Sequence, residues 1–299
     1  VIHIIGNISE MHRLLRLPKP KHPLISIIDL KTINSSANKE IWRHHTTKFY
    51  SISLKNEITG KIKYGQNTFD FDEGVLSCFS PNQVLSVEGI NENDVRGYSL
   101  LFSPDFLLNH PLTKKIKQYQ FFSYELKEAL FLSDNEEKAI IQIFKTIETE
   151  YSNNIDAYSQ EAILSNIDLL LIYINRYYNR QFLTRKNYHL DILSRVEQIL
   201  TDYYQNEEID SLPTVQYLAN EVHLSAPYLS DMLKNYTGLS AQQHIHESII
   251  YKAKELLTIS ELSINQIAYE LGFQYPQSFH KLFKRKTNIT PSKFRQLYN

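Results

Sequence analysis

The spacing of hydrophobic residues changes along the chain, and the change divides it. Between residues 24 and 103, apolar and β-branched residues come in short runs at 24–33, 48–54, 61–64, 68–71, 75–80, 83–88 and 98–103. Five of the eight glycines, Gly60, Gly65, Gly74, Gly89 and Gly97, punctuate these runs, which is the spacing of strands and turns. Phe69 and Phe71 alternate with Asp70 and Asp72, the pattern of a strand with one wet face. Seven such strands predict a sandwich or small barrel.

After Ser103-Pro104, a cap followed by a proline at the first helical position, the period becomes helical. Ile140, Ile143, Phe144, Ile147 and Tyr151 share one face of a helix over about 134–151. Ile163, Ile167, Leu170, Ile174 and Tyr177 follow at spacings of four and three, a heptad seam that either meets a second subunit or packs into its own domain. Residues 1–178 thus read as one domain, the charged stretch 179–190 as a linker, and 191–299 as a second, all-helical domain opening with the stripe Ile192, Leu193, Val196, Ile199, Leu200, Tyr203.

The last third repeats itself. Thr214–Pro227, "TVQYLANEVHLSAP", lies over Ser263–Pro276, "SINQIAYELGFQYP", so that Val215, Leu218, Ala219, Val222, Leu224 and Pro227 match Ile264, Ile267, Ala268, Leu271, Phe273 and Pro276 at an offset of 49. One residue is then inserted, and Leu229, Leu233 and Thr237-Gly238 match Phe279, Phe283 and Thr287-Asn288 at an offset of 50. Each unit reads as a capped short helix, a tight turn at His223 or Gly272, and a second helix with proline in its first turn, where a missing N–H costs little. That is a helix-turn-helix, whose second helix can enter a major groove. Ser240–Ile259 reads as a longer helix between the units, holding them at a fixed separation.

Composition adds limits. The 299 residues, 42% hydrophobic and 22% charged, suffice for two globular domains. A net charge of −1 advertises no polyanion, yet charge is unevenly placed. From 271 onward Lys281, Lys284, Arg285, Lys286, Lys293 and Arg295 meet no acid, whereas 210–270 carries seven acids and three bases. The one cysteine, Cys78, sits in a strand-like run and forms no internal disulfide, which fits a reducing compartment. The longest apolar run, Leu169–Ile174, is far short of a membrane span, and "VIHIIGNISEMHR" has the wrong flanks for a signal peptide, so the expected location is cytoplasmic, with no membrane partner.

The run "IAYELGFQYPQSFHKLFKRKTNITPSKFRQ" resembles the signature of the AraC/XylS family of bacterial transcription regulators, with Asn288 where that family usually has glycine. Asn is the next most tolerant residue at positive φ. The resemblance implies double-stranded DNA and RNA polymerase as partners, an N-terminal cupin-like β-barrel that binds a small-molecule effector, and helices that form a homodimer. The expected fold class is therefore α+β, with a barrel and dimerisation helices followed by a domain of two helix-turn-helix units. No cofactor is implied.

Because Leu229/Leu233 and Phe279/Phe283 fix the core sides, Ala226, Pro227, Ser230, Asp231 and Lys234 face outward in one recognition helix, and Pro276, Gln277, His280, Lys281 and Lys284 in the other. Gln pairs with adenine, Lys with guanine, and Asp accepts from cytosine. Asp231 either reads cytosine or weakens nonspecific binding. The run Lys284, Arg285, Lys286 reads as phosphate contact. His280 lacks a second ligand at metal spacing, and reads as a groove or phosphate contact.

In the first half, His44 and His45 are adjacent and so point to opposite strand faces, and no further barrel His or Glu completes a metal set. His44, Phe49, Tyr64 and Phe79 are the candidate effector contacts, with Trp42, Tyr50, Phe69 and Phe71 as further rings that either stack a ligand or simply fill the core. Two other readings remain open: a DNA-binding regulator controlled by its abundance or by a protein partner, and a cupin enzyme fused to a DNA-binding domain.

Overall fold

A computed structural model describes residues 2–33, 44–56, 62–64, 67–69, 74–85, 96–125, 128–153, 156, 158–184, 186–204 and 211–298. Two compact units divide the chain, Val1–Gln181 and Phe182–Asn299.

Among the described residues the first unit holds ten strands: β1 (His3–Ile5), β2 (Ile25–Asp29), β3 (His45–Thr47), β4 (Tyr50–Asn56), β5 (Ile62–Tyr64), β6 (Asn67–Phe69), β7 (Gly74–Phe79), β8 (Val84–Leu85), β9 (Arg96–Phe102) and β10 (Leu130–Leu132). Five form an antiparallel sheet in the order β10-β7-β4-β9-β2, three form β1-β3-β8, and β5 pairs with β6. All seven strand-like runs carry strands; residues 61, 70–71 and 86–88 of those runs, with Trp42, lie outside the described residues.

The middle strands explain why the sheet forms. In β4, Ile52 and Leu54 are fully buried, while Ser53 and its cross-strand partner Ser99 join hydroxyls at 2.8 Å. β7 is buried at all six positions, covered on both faces, which is why it reads as a continuous apolar run. Cys78 lies there, its thiol pKa pushed up by burial. The described strands form open sheets: β2 and β10 are the edges of the five-stranded sheet, and no pairing among the described residues closes it into a barrel.

Among the described residues, the helices that begin in this unit are α1 (Ile8–Leu14), α2 (Leu112–Lys115), α3 (Asp134–Ser152) and α4 (Ser159–Thr184). Ser103 caps a short 3-10 turn, Pro104–Leu107, in place of a longer helix. A capping box between Ser133 and Glu136 starts α3, which buries Ile140, Ile143, Phe144 and Ile147. Arg180 on α4 donates to Glu136 at 2.6 Å and to the Phe131 carbonyl at 2.7 Å, tying α4 to the α3 cap and to β10. The heptad seam Ile163, Ile167, Leu170, Ile174, Tyr177 is at most 7% exposed, so it packs into its own unit. The stretch 179–190 is helical up to Thr184 and again from Lys186.

The second unit is helical: α5 (Lys186–Tyr203), α6 (Val215–Glu221), α7 (Ala226–Thr237), α8 (Ala241–Ile259), α9 (Ile264–Glu270), α10 (Pro276–Thr287) and α11 (Pro291–Tyr298). The buried side of α8 (Ala241, Ile245, Ile249, Ala253, Leu257) is the common wall of both repeats.

Candidate nucleic-acid interface

The two repeats share their turns and their C-terminal caps. Thr214 caps α6 by accepting from the Tyr217 N–H, and Ser263 with Gln266 closes a capping box on α9. At the turns, His223 and Gly272 take left-handed backbone (φ 57° and 86°). The next amide folds back in the same way: Leu224 N–H to Ala219 at 2.9 Å, Phe273 N–H to Ala268 at 3.0 Å. His223 has no glycine freedom, and its positive φ is one a histidine tolerates better than most side chains.

The second helix of each unit also ends the same way. Gly238 (φ 80°) and Asn288 (φ 64°) are left-handed caps whose N–H groups bond Lys234 and Lys284 carbonyls, both at 2.9 Å. Asparagine thus serves where glycine was expected. Thr237 and Thr287 each donate a hydroxyl back to the Leu233 or Phe283 carbonyl at 2.8 Å. The starts differ: Ser225 caps α7 with its side chain, whereas Tyr275, exposed, begins α10 without a side-chain cap.

Packing decides which faces remain. Leu229, Met232 and Leu233 on α7, and Phe279, Leu282 and Phe283 on α10, are buried. A chain of rings, Phe273–Phe279–Phe283–Phe294, runs through the second unit at centroid spacings of 5.5–5.7 Å. On α10, Gln277, Lys281 and Lys284 (i, i+4, i+7) share one exposed face, with Arg285 exposed beside it and His280 half-buried against Phe279. On α7, Lys234 is exposed, and Ser230 and Asp231 are half-buried.

Lys286 is placed differently from its neighbours. It is half-buried, and its ammonium bonds Glu247 on α8 at 2.9 Å. Of the basic run, Lys284 and Arg285 face solvent, while Lys286 braces α10 against α8. Burial first, and then the charges of Arg285 and Lys286, lower the pKa of His246, so it favours the neutral form here. Glu247 was not singled out in the sequence, because it lies 39 residues from its partner.

Among the described residues, the effector candidates of the first unit sit in different surroundings. His44 is exposed, and its carbonyl accepts from the His3 N–H at 2.9 Å, while His45 is buried, as their adjacency implies. Phe49 is 1% exposed inside a cluster of Ile5, Ile8, Met11, Ile28 and Leu101. Phe79 is buried in β7, and Tyr64 ends β5 opposite Asn67, its side chain outside the described residues. Tyr50, half-buried, stacks on the buried Phe102 at 5.2 Å.

Comparison with known proteins agrees with this geometry. A family model described as a helix-turn-helix domain matches residues 218–297. An uncharacterized HTH-type transcriptional regulator, YfiF of Bacillus subtilis, is 26% identical over 281 residues, 85% of this chain and 79% of that protein. Residues 218–297 are an AraC-type helix-turn-helix domain. The HTH-type transcriptional activator RhaS of Escherichia coli is 38% identical over 79 residues, 26% of this chain and 28% of RhaS. The chain is also similar to part of histidine kinase P4 of Formosa agariphila, 32% identical over 108 residues, 36% of this chain. The chain spans only 28% of RhaS and 8% of histidine kinase P4.

Proposed function

We propose that this protein is a sequence-specific, double-stranded-DNA-binding regulator of transcription, an activator as the name of RhaS describes that relative, with RNA polymerase as the partner the family resemblance implies. The observation that carries the reading is the pair of matched helix-turn-helix units, each with its second helix packed on one side and polar on the other. In this reading Ser230, Asp231, Lys234, Gln277, His280 and Lys281 face base edges, and Lys284 and Arg285 meet phosphate. A second copy of the chain pairs with the first through the N-terminal unit. Selection of bound duplexes from a random pool tests the proposal: an enriched motif supports it, and recovery of unenriched sequence overturns it.

The control of this activity has two forms. A cupin-like barrel with a small-molecule effector is the form the family resemblance suggests. The burial of Phe49 and Phe79 favours the other, a filled first unit whose regulator works through abundance or a protein partner. A thermal-shift screen against metabolites, followed by DNA titration with any hit, separates them: a hit that changes DNA affinity establishes the effector.

A further inference from the structure

A groove in the first unit lies where the segment entering β2, the 3-10 turn Pro104–Leu107, the end of α3 and the start of α4 come together. Its volume is about 250 Å³, just below the range usual for drug-sized ligands, so an occupant has about ten non-hydrogen atoms. Ile25, Phe106 and Ile163, each at most 5% exposed, give it an apolar floor. His44, Phe49 and Phe79 are not among its lining residues.

Most polar groups of the rim have partners. The Lys21 N–H donates to the Tyr151 hydroxyl at 2.6 Å, and its ammonium to the Ser152 carbonyl at 3.1 Å, closing the end of α3. The Asp156 carboxylate accepts from the Tyr158 N–H at 2.8 Å and from the Ser159 hydroxyl at 3.1 Å, and these bonds hold its pKa below the ordinary carboxylate value. The Gln160 amide donates to the Phe106 carbonyl at 3.1 Å. Two side chains stand apart. Glu150 is half-buried and makes no hydrogen bond or ion pair among the described residues. His22, half-buried and edge-on to Phe106 at 5.6 Å, accepts the Leu24 N–H at Nδ1; burial lowers its pKa, so the neutral ring carries its proton on Nε2.

These groups set the charge of what fits. With His22 neutral, the rim carries Glu150 and Asp156 against Lys21, an excess of one negative charge. A carboxylate partly withdrawn from water and without a partner is best matched by a cation that donates hydrogen bonds, which an ammonium does. An anion would meet Glu150 at close range, and a purely apolar molecule would leave its charge unmatched. The floor of Phe106 and Ile163 takes a ring.

We propose that this groove binds a small aromatic primary amine, its ammonium held by Glu150 and its ring laid on Phe106 and Ile163. The site belongs to the first unit and does not depend on the DNA-binding reading above.

Calorimetric titration of the full chain with phenethylamine tests the proposal, with phenylacetate as a control of similar shape and opposite charge. Phenethylamine binds saturably at one site, and phenylacetate binds about tenfold more weakly or worse. Glu150→Gln weakens phenethylamine binding about tenfold, the scale of a hydrogen bond to a charged group. Gln160→Trp, a change at an exposed rim position, fills the groove and abolishes binding. Thermal unfolding confirms that both variants fold. Phenethylamine that fails to saturate, or phenylacetate that binds as tightly, overturns the amine assignment. Glu150→Gln or Gln160→Trp variants that bind phenethylamine as the wild type does overturn the site.

Discussion

The Lys286 ammonium on α10 bonds the Glu247 carboxylate on α8 at 2.9 Å, joining the second recognition helix to the helix between the units. Glu247 is 54% exposed and Lys286 21%, so the pair is solvated on one side and its direct worth is small. Glu247→Gln is expected to lower stability by about 0.2–1 kcal/mol at low salt and by less at high salt. Chemical unfolding at two salt concentrations checks this; a loss independent of salt would mean the residue acts by packing.

The left-handed caps give a second expectation. A β-carbon added at Gly238 would meet nothing within 4 Å, so any cost of Gly238→Ala comes from backbone strain at φ 80° and not from crowding. That cost is about 1–2 kcal/mol. Asn288→Ala should also destabilise, and Asn288→Gly should be neutral or slightly stabilising, since glycine takes φ 64° without a Cβ penalty. Urea unfolding of the three variants decides it: a neutral Gly238→Ala would show that the cap relaxes.

Much of the second domain was legible because the repeat is its own control. His223 alone says little, but its match to Gly272 marks a turn, and the match of Asn288 to Gly238 marks a cap. The first unit offered no such check. Strands β1, β3 and β10 have three residues each, too few to display a period of two. The seam Ile163–Tyr177 looked the same whether it faced a subunit or its own chain, because spacing records which face is buried and not what buries it. Lys286 looked like its neighbours Lys284 and Arg285, since its partner lies on another helix. Pairing across long separations, including whether strands close into a barrel, leaves no local signal.

Histidine 244 gives the domain a pH dependence. Its Nε2 lies 2.9 Å from the Thr237 hydroxyl, and burial lowers its pKa below the ordinary 6.5, against the opposing pull of Glu197 and Glu247. A lowered histidine pKa means that the unfolded chain binds more protons between the folded and unfolded values, so stability is complete above 6.5 and falls as the pH drops below it. His246, shifted the same way, adds to the trend. His244→Gln removes one titrating group, so the drop in Tm between about pH 7.5 and about pH 5.5 should be smaller than in wild type. An unchanged drop would remove His244 from the account.

The exposed face of α10 separates reading from bracing. Gln277 and Lys281 project from the helix with no buried role, so replacing either by alanine should leave Tm unchanged and lower affinity for the enriched duplex by about 1–3 kcal/mol per lost bidentate contact. Lys286→Ala should do the reverse, costing a little stability through Glu247 with little change in specific affinity. The two effects are read on the same proteins, by thermal unfolding and by titration at fixed salt. If Gln277→Ala and Lys281→Ala bind the enriched duplex as wild type does, the outward face of α10 is not a base-reading face, and its charge serves phosphate alone.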